Sequence, residues 1–256
     1  MPSASQVAVA HDYSTPWNPP LLALAPVGPF DGPPPGDLND PLWRAALKAA
    51  EAGALQNQLS AVWDDLVRGR LRPWCEATTR DRIHLIACLN RSHPSLNHND
   101  AAVLVRVLCG EPQKVIASEL GIATSTTSGR YLRTLNQLEL VDRTLPLPLP
   151  LVLAAQSWAG IASVPSARTA IFERRGQLAL IATVPRPVTA HMTSLTPAEQ
   201  EVARCLIEGD CRTAIARRRE TSVHTVARQF SSVFTSLRIG GRYALIRRAA
   251  ELGCFS

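Results

Sequence analysis

Six arginines fall between positions 217 and 242: Arg217, Arg218, Arg219, Arg228, Arg238 and Arg242. A guanidinium group is planar and always charged, and its paired donors match phosphate oxygens and the edge of guanine. Among these arginines run Val226, Phe230, Val233, Phe234 and Leu237 at helical spacing. A helix with that stripe inward carries His224, Ala227, Arg228, Ser231 and Ser232 outward, with Thr225 and Gln229 at the margins. One apolar stripe backed by an Arg/Ser/Gln face suits a helix lying in the major groove of DNA. Arg228 is then placed to read a guanine through two bonds. Arg217, Arg218, Arg219, Arg238 and Arg242 flank the helix and are expected on phosphates.

That helix needs others to position it. Thr196 can cap a helix with Pro197 in its first position and Glu199 reaching back, and Gly209 ends it. A short helix from about Arg212 to Arg218 turns Ile215 and Ala216 inward. A turn at Arg219-Glu220-Thr221 follows, and Ser222 caps the arginine-bearing helix.

The same pattern occurs earlier. Shifted by 99 positions, Leu96, Val103, Gly110, Ile116, Ala117, Thr126 and Leu138 fall on Leu195, Val202, Gly209, Ile215, Ala216, Thr225 and Leu237. Upstream of each copy stands a predicted β-hairpin. One joins Trp74–Thr78 to Ile83–Leu89 through Arg80-Asp81. The other joins Thr169–Glu173 to Leu178–Val184 through Arg174-Arg175-Gly176-Gln177. Ile86-Ala87-Cys88 matches Ile181-Ala182-Thr183.

The run Leu195-Thr196-Pro197-Ala198-Glu199-Gln200-Glu201-Val202, then Ile215-Ala216-Arg217-Arg218, then Ser222-Val223-His224-Thr225-Val226, resembles the LuxR/NarL-type helix-turn-helix domain. The resemblance covers about 195 to 253. It implies a bacterial, cytoplasmic, nucleoid-associated transcription regulator, with double-stranded DNA as partner and base contacts from Ala227, Arg228, Ser231 and Ser232. It also implies a fourth helix at Tyr243–Leu252 that serves dimerisation. The chain departs from the family at Arg219-Glu220-Thr221, where Leu-Gly-Ile is usual. It also departs at Ala227, often lysine, and at Thr235 and Ser236, often basic.

The first copy keeps the family turn as Leu120-Gly121-Ile122, and Asn97 and Asp100 can cap its first helix. Its third helix exposes Ser128, Gly129, Leu132 and Arg133, with Arg130 beside them: a second contact for DNA or for protein. Residues 96–140 hold four Lys/Arg and four Asp/Glu, whereas residues 195–256 hold ten Arg and six Asp/Glu. Phosphate binding needs local positive charge, so the C-terminal copy is expected to be the main reader. The first copy is expected to be a pseudo-dimer partner or weak second reader. The competing expectation is a protein-interaction module that keeps the fold and binds RNA polymerase or another regulator. The active species is a monomer acting as a pseudo-dimer, or a homodimer through Tyr243–Leu252.

The expected fold is mainly α with two small β-hairpins: a tandem repeat of hairpin plus LuxR-type four-helix domain. The boundaries are 1–40, a Pro-rich tail expected to be disordered, with Trp17 and Phe30 as sticky spots; 41–144, helices, hairpin and first helix-turn-helix at 96–140; 145–194, Pro-rich connector, short helix and second hairpin; and 195–256. Asp40-Pro41 opens a helix reaching about Ala52, and Leu59, Val62, Trp63, Leu66 and Val67 mark a second. Trp63, Trp74 and Trp158 are expected in the core or against a hairpin.

The net charge of +6 fits a polyanionic partner, and no apolar run approaches the roughly 18 residues of a membrane span. No secretory leader is expected. The six cysteines show no C-x-x-C spacing and are expected reduced. His93 and His98 lack further ligands at metal spacing, so neither metal nor cofactor is expected. No P-loop, G-x-S-x-G or H-E-x-x-H is present, and Asp64-Asp65 diverge on a helix, so no enzyme is expected.

Overall fold

Pro41 opens the first helix, where its fixed φ and missing N–H cost nothing. The computed structural model describes residues 41–52, 55–56, 59–89, 95–140, 146–174 and 177–256. Asp40, Trp17, Phe30, His93 and the Arg175-Gly176 turn lie outside them. The chain is mainly helical, with one antiparallel sheet. Helices α1 (Pro41–Ala52) and α2 (Leu59–Val67) are separated by a two-residue strand, β1 (Leu55–Gln56). All five apolar residues expected on α2 are buried, Trp63 among them.

The two hairpins form as expected: β2 (Leu71–Thr78) with β3 (Arg82–Leu89), and β4 (Arg168–Arg174) with β5 (Gln177–Pro185). They are not separate. β3 pairs with β5, so the strand order is β1-β4-β5-β3-β2 in a single sheet. Local alternation reveals a strand but not its distant neighbour. In the central ladder Ile86 stands opposite Ile181, its own counterpart in the sequence match. Cys75 faces Ile86 as Ala170 faces Ile181, and Thr78 faces Ile83 as Glu173 faces Leu178. The hairpins therefore share a register and meet around a local two-fold centred on Ile86 and Ile181. A bulge at Pro73/Cys75 breaks the match on β2. Trp74, at that bulge, packs on the smaller core that Leu47, Ala50, Ile86 and Ile181 form.

Each hairpin leads into three helices. The first set is α3 (His98–Leu108), α4 (Gln113–Glu119) and α5 (Thr124–Gln137). Between the sets lies α6 (Leu149–Trp158). The second set is α7 (Pro197–Glu208), α8 (Arg212–Arg218) and α9 (Val223–Leu237), and α10 (Arg242–Glu251) closes the chain. The starts recur 99 positions apart: His98 and Pro197, Gln113 and Arg212, Thr124 and Val223. Left-handed backbone recurs at the same interval, with Gly110 and Gly209, Gly121 and Glu220, Glu139 and Arg238 at positive φ. Glu220 thus adopts, at φ 50°, the conformation that Gly121 adopts at 64°.

Of the proline-alternating stretch, Leu145 lies outside the described residues, 146–148 lie in neither helix nor strand, and Pro150 falls in the first turn of α6. Proline is tolerated there because the first N–H groups of a helix lack intrahelical acceptors. Leu149 through Gln156 are all buried, so α6 is apolar on every side and sits in the core. It packs on α2, α3, α10 and the sheet. Its Gln156 Nε2 donates to Leu108 O at 2.7 Å and to Tyr243 O at 3.0 Å, which joins the end of α3 to the start of α10. One large cluster of buried side chains runs through α2, α3, α6, α7, α9 and α10.

Candidate nucleic-acid interface

The second helical set is capped as its residues dictate. Thr196 and Glu199 form the reciprocal capping box at α7, and Gly209 ends it in left-handed geometry. Ser222 Oγ accepts from Thr225 N at α9. Val226, Phe230 and Val233 are buried, with Phe234 and Leu237 half-buried against the same core. That stripe fixes the rotation of α9 and leaves His224, Thr225, Arg228, Ser231 and Ser232 exposed; Ala227 is half-buried.

The arginines divide into two groups. Arg217, Arg228 and Arg238 are exposed, and among the described residues their side chains have no hydrogen-bond or ion-pair partner. Arg218 and Arg219 are partly engaged. Arg218 pairs with Asp210 at 2.9 Å and reaches the Cys205 sulfur. Arg219 Nη1 donates to Gln229 Oε1 at 2.6 Å, and its Nε lies 3.3 Å from Glu201. Gln229 is thereby turned toward Arg219. Arg212 sits with its guanidinium 5.3 Å above the Phe230 ring and is exposed. It joins the basic surface; its charge and position in the second helix were the available signal.

Arg242 does not belong to this surface, contrary to expectation. Its Nε donates to Leu206 O at 2.9 Å, Nη1 to Leu147 O at 3.0 Å and Nη2 to Ile207 O at 3.0 Å. Leu206 and Ile207 lie at the C-terminal end of α7, where carbonyls carry partial negative charge, so a guanidinium is drawn to them as readily as to phosphate. Burial pulls its pKa down from the ordinary arginine value. Nor is the apolar side of α10 open to a partner: Leu245, Ile246, Ala249 and Ala250 are buried within the chain.

Two carboxylates border the exposed face. Glu199 accepts from Ser232 Oγ, from Thr196 N and from Thr196 Oγ1. Those hydrogen bonds, the Ser232 bond first, hold its carboxyl below the usual range. Glu201 sits on Arg219, as above.

The first set carries a different surface. Ser128 is half-buried and donates to Gln113 Oε1 at 2.5 Å. Arg130 is half-buried, its Nε 4.0 Å from Asp100 Oδ1. Gly129 and Arg133 are exposed, and Leu132 is 55% exposed. Val115 and Leu120 are also exposed, at 43% and 40%. Asn97 caps α3 by accepting from Asp100 N at 2.8 Å, as expected. The Tyr131 and Tyr243 hydroxyls lie 3.2 Å apart, a link between α5 and α10 that no sequence pattern announced.

All six cysteines are free thiols, and four of them are buried. Among the described residues no helix is long and apolar enough to cross a membrane. Comparison of the chain with protein-family profiles, characterised proteins and solved structures gives no match.

Proposed function

We propose that the chain is a DNA-binding transcription regulator of bacterial cytoplasm and nucleoid, built as a tandem repeat of hairpin plus helix-turn-helix, with α9 as its reading helix. One observation carries this reading. Among the described residues, Arg217, Arg228 and Arg238 stand exposed and without partners around a helix whose other side is locked into the core. An unpaired surface arginine keeps its full capacity for phosphate or guanine, while the packed stripe holds the helix in a fixed orientation. The 99-residue recurrence of helix starts and left-handed positions supports the tandem reading. Arg228 and the adjoining serines face bases; Arg217, Arg238 and, more weakly, Arg218 face phosphates.

Fluorescence anisotropy with a labelled duplex tests it. Each phosphate neutralised adds roughly −0.9 to the slope of log K against log salt, so the two or three arginines placed on phosphates give a slope of roughly −2 to −3. A salt-independent signal, or none at low salt, rejects the proposal. A protein-binding role for the first helical set is a second reading, favoured by the exposed Val115, Leu120 and Leu132. Its partner would be RNA polymerase or another regulator.

A further inference from the structure

We infer that the chain reads one half-site of duplex DNA without dyad symmetry, because its first helical set has lost the surface that would engage a second. The inference rests on the DNA-reading role of α9 proposed above. A helix-turn-helix pair related by a two-fold ordinarily meets two inverted half-sites, one turn of DNA apart. Here the fold places both sets in one chain, and the 99-residue spacing of their helix starts allows comparison position by position.

At every arginine of α8, α9 and their C-caps the first set holds something else. Arg217, Arg228 and Arg238 correspond to Ser118, Gly129 and Glu139. Arg212, Arg218 and Arg219 correspond to Gln113, Glu119 and Leu120. Glu139 takes the same left-handed conformation as Arg238, so the backbone is kept, but the cation is replaced by a carboxylate that pairs with Arg72. Glu119 is 56% exposed and pairs with Arg106. Ser231 is replaced by Leu132, more than half exposed. Two cations, Lys114 and Arg133, remain exposed where the second set has Thr213 and Ser232. Residues 96–140 as a whole hold four Lys/Arg and four Asp/Glu, so the first set offers no net attraction to a phosphate backbone. Gly129 puts no side chain where Arg228 would read a base; a Cβ built there meets nothing within 4 Å.

Selection of binding sequences from random duplex by the full chain, followed by stoichiometry on the selected site, tests this. The expected motif lacks an inverted repeat, and one chain binds per site. Adding an inverted second copy of the motif about one turn, roughly 10 bp, away should change affinity per chain by no more than about twofold, the statistical factor for two sites. Lys114→Ala and Arg133→Ala should each leave affinity within about twofold of the parent. A dyad motif, filled by one chain or by two, overturns the inference while leaving the reading role of α9 intact. So does a loss of tenfold or more in either variant. Failure to bind any duplex at low salt overturns the reading role and this inference with it.

Discussion

A Cβ placed on Gly110 would lie 2.6 Å from the Cα of Ala244. Gly110 ends α3 at φ 82°, and α10 packs its backbone directly onto it. The absence of a side chain here lets the last helix of the chain close over the first helical set.

Gly110→Ala should therefore be severely destabilising, by about 3 kcal/mol or more, because both the backbone conformation and the space forbid it. Gly121 makes the control. It also has a positive φ, but a Cβ there meets nothing within 4 Å. Gly121→Ala should cost only about 1 kcal/mol. Urea unfolding of the two variants separates steric clash from backbone strain; equal losses would refute the close approach of α10. At the equivalent turn, Glu220→Gly should be neutral or stabilise by up to about 1 kcal/mol.

Arg242→Ala should destabilise the fold by roughly 3 kcal/mol, since it removes three charge-assisted hydrogen bonds and, among the described residues, leaves only Leu206 O with a second donor, the Gly209 N–H. Lysine's three N–H groups radiate from one nitrogen, whereas Arg242 uses three separate nitrogens, so Arg242→Lys should recover little. Arg217→Ala should leave the unfolding midpoint unchanged. If Arg242→Ala instead weakened DNA binding with no loss of stability, its place as a helix-end clamp would be wrong.

On DNA, Arg228→Ala should relax preference at one base pair, by about 1–3 kcal/mol of discrimination. Arg217→Ala should weaken all sequences alike and reduce the salt slope by about 1. Arg218 is already paired with Asp210, so Arg218→Ala should have the smaller effect of the two phosphate-facing changes. Competition binding with single-base variants of a selected site distinguishes these outcomes.

Asp65 supplies a pH dependence. It is buried in α2, and burial pushes its carboxyl up from 3.8 to about 6, against the pull of Arg70 2.7 Å away. The folded state therefore binds this proton more tightly than the unfolded state does. Its contribution favours folding below about pH 4, declines as pH rises to about 6, and is constant above that. The wild-type chain should lose on the order of 2–3 kcal/mol across this window relative to Asp65→Asn, which lacks the titration. Parallel unfolding midpoints from pH 4 to 7 would exclude the effect.

Much of this architecture was legible in local chemistry. Thr196, Pro197, Glu199, Gly209 and Ser222 mark helix ends through their own side chains or backbone freedom, and each does so in the structure. The outward face of α9 followed from where Val226, Phe230 and Val233 had to go. The union of two hairpins in one sheet was not legible, because strand partners are chosen over long separations. Arg242 was misplaced for a related reason: a charge pattern shows that an arginine seeks negative potential, not whether phosphate or helix carbonyls supply it. Gln156 and the Tyr131–Tyr243 pair join distant elements, and nothing in their immediate neighbours in sequence signals it.

The central ladder through Ile86 and Ile181 ties the two halves of the polypeptide to a common fate. Severed from the second half, residues 41–140 would leave the β5-facing edge of β3 open along a strand rich in Ile, Leu and Ala, an invitation to intermolecular pairing. Such a fragment is expected to cluster or to recruit another strand in place of β5. Each half is thus expected to need the other to cover its share of the sheet.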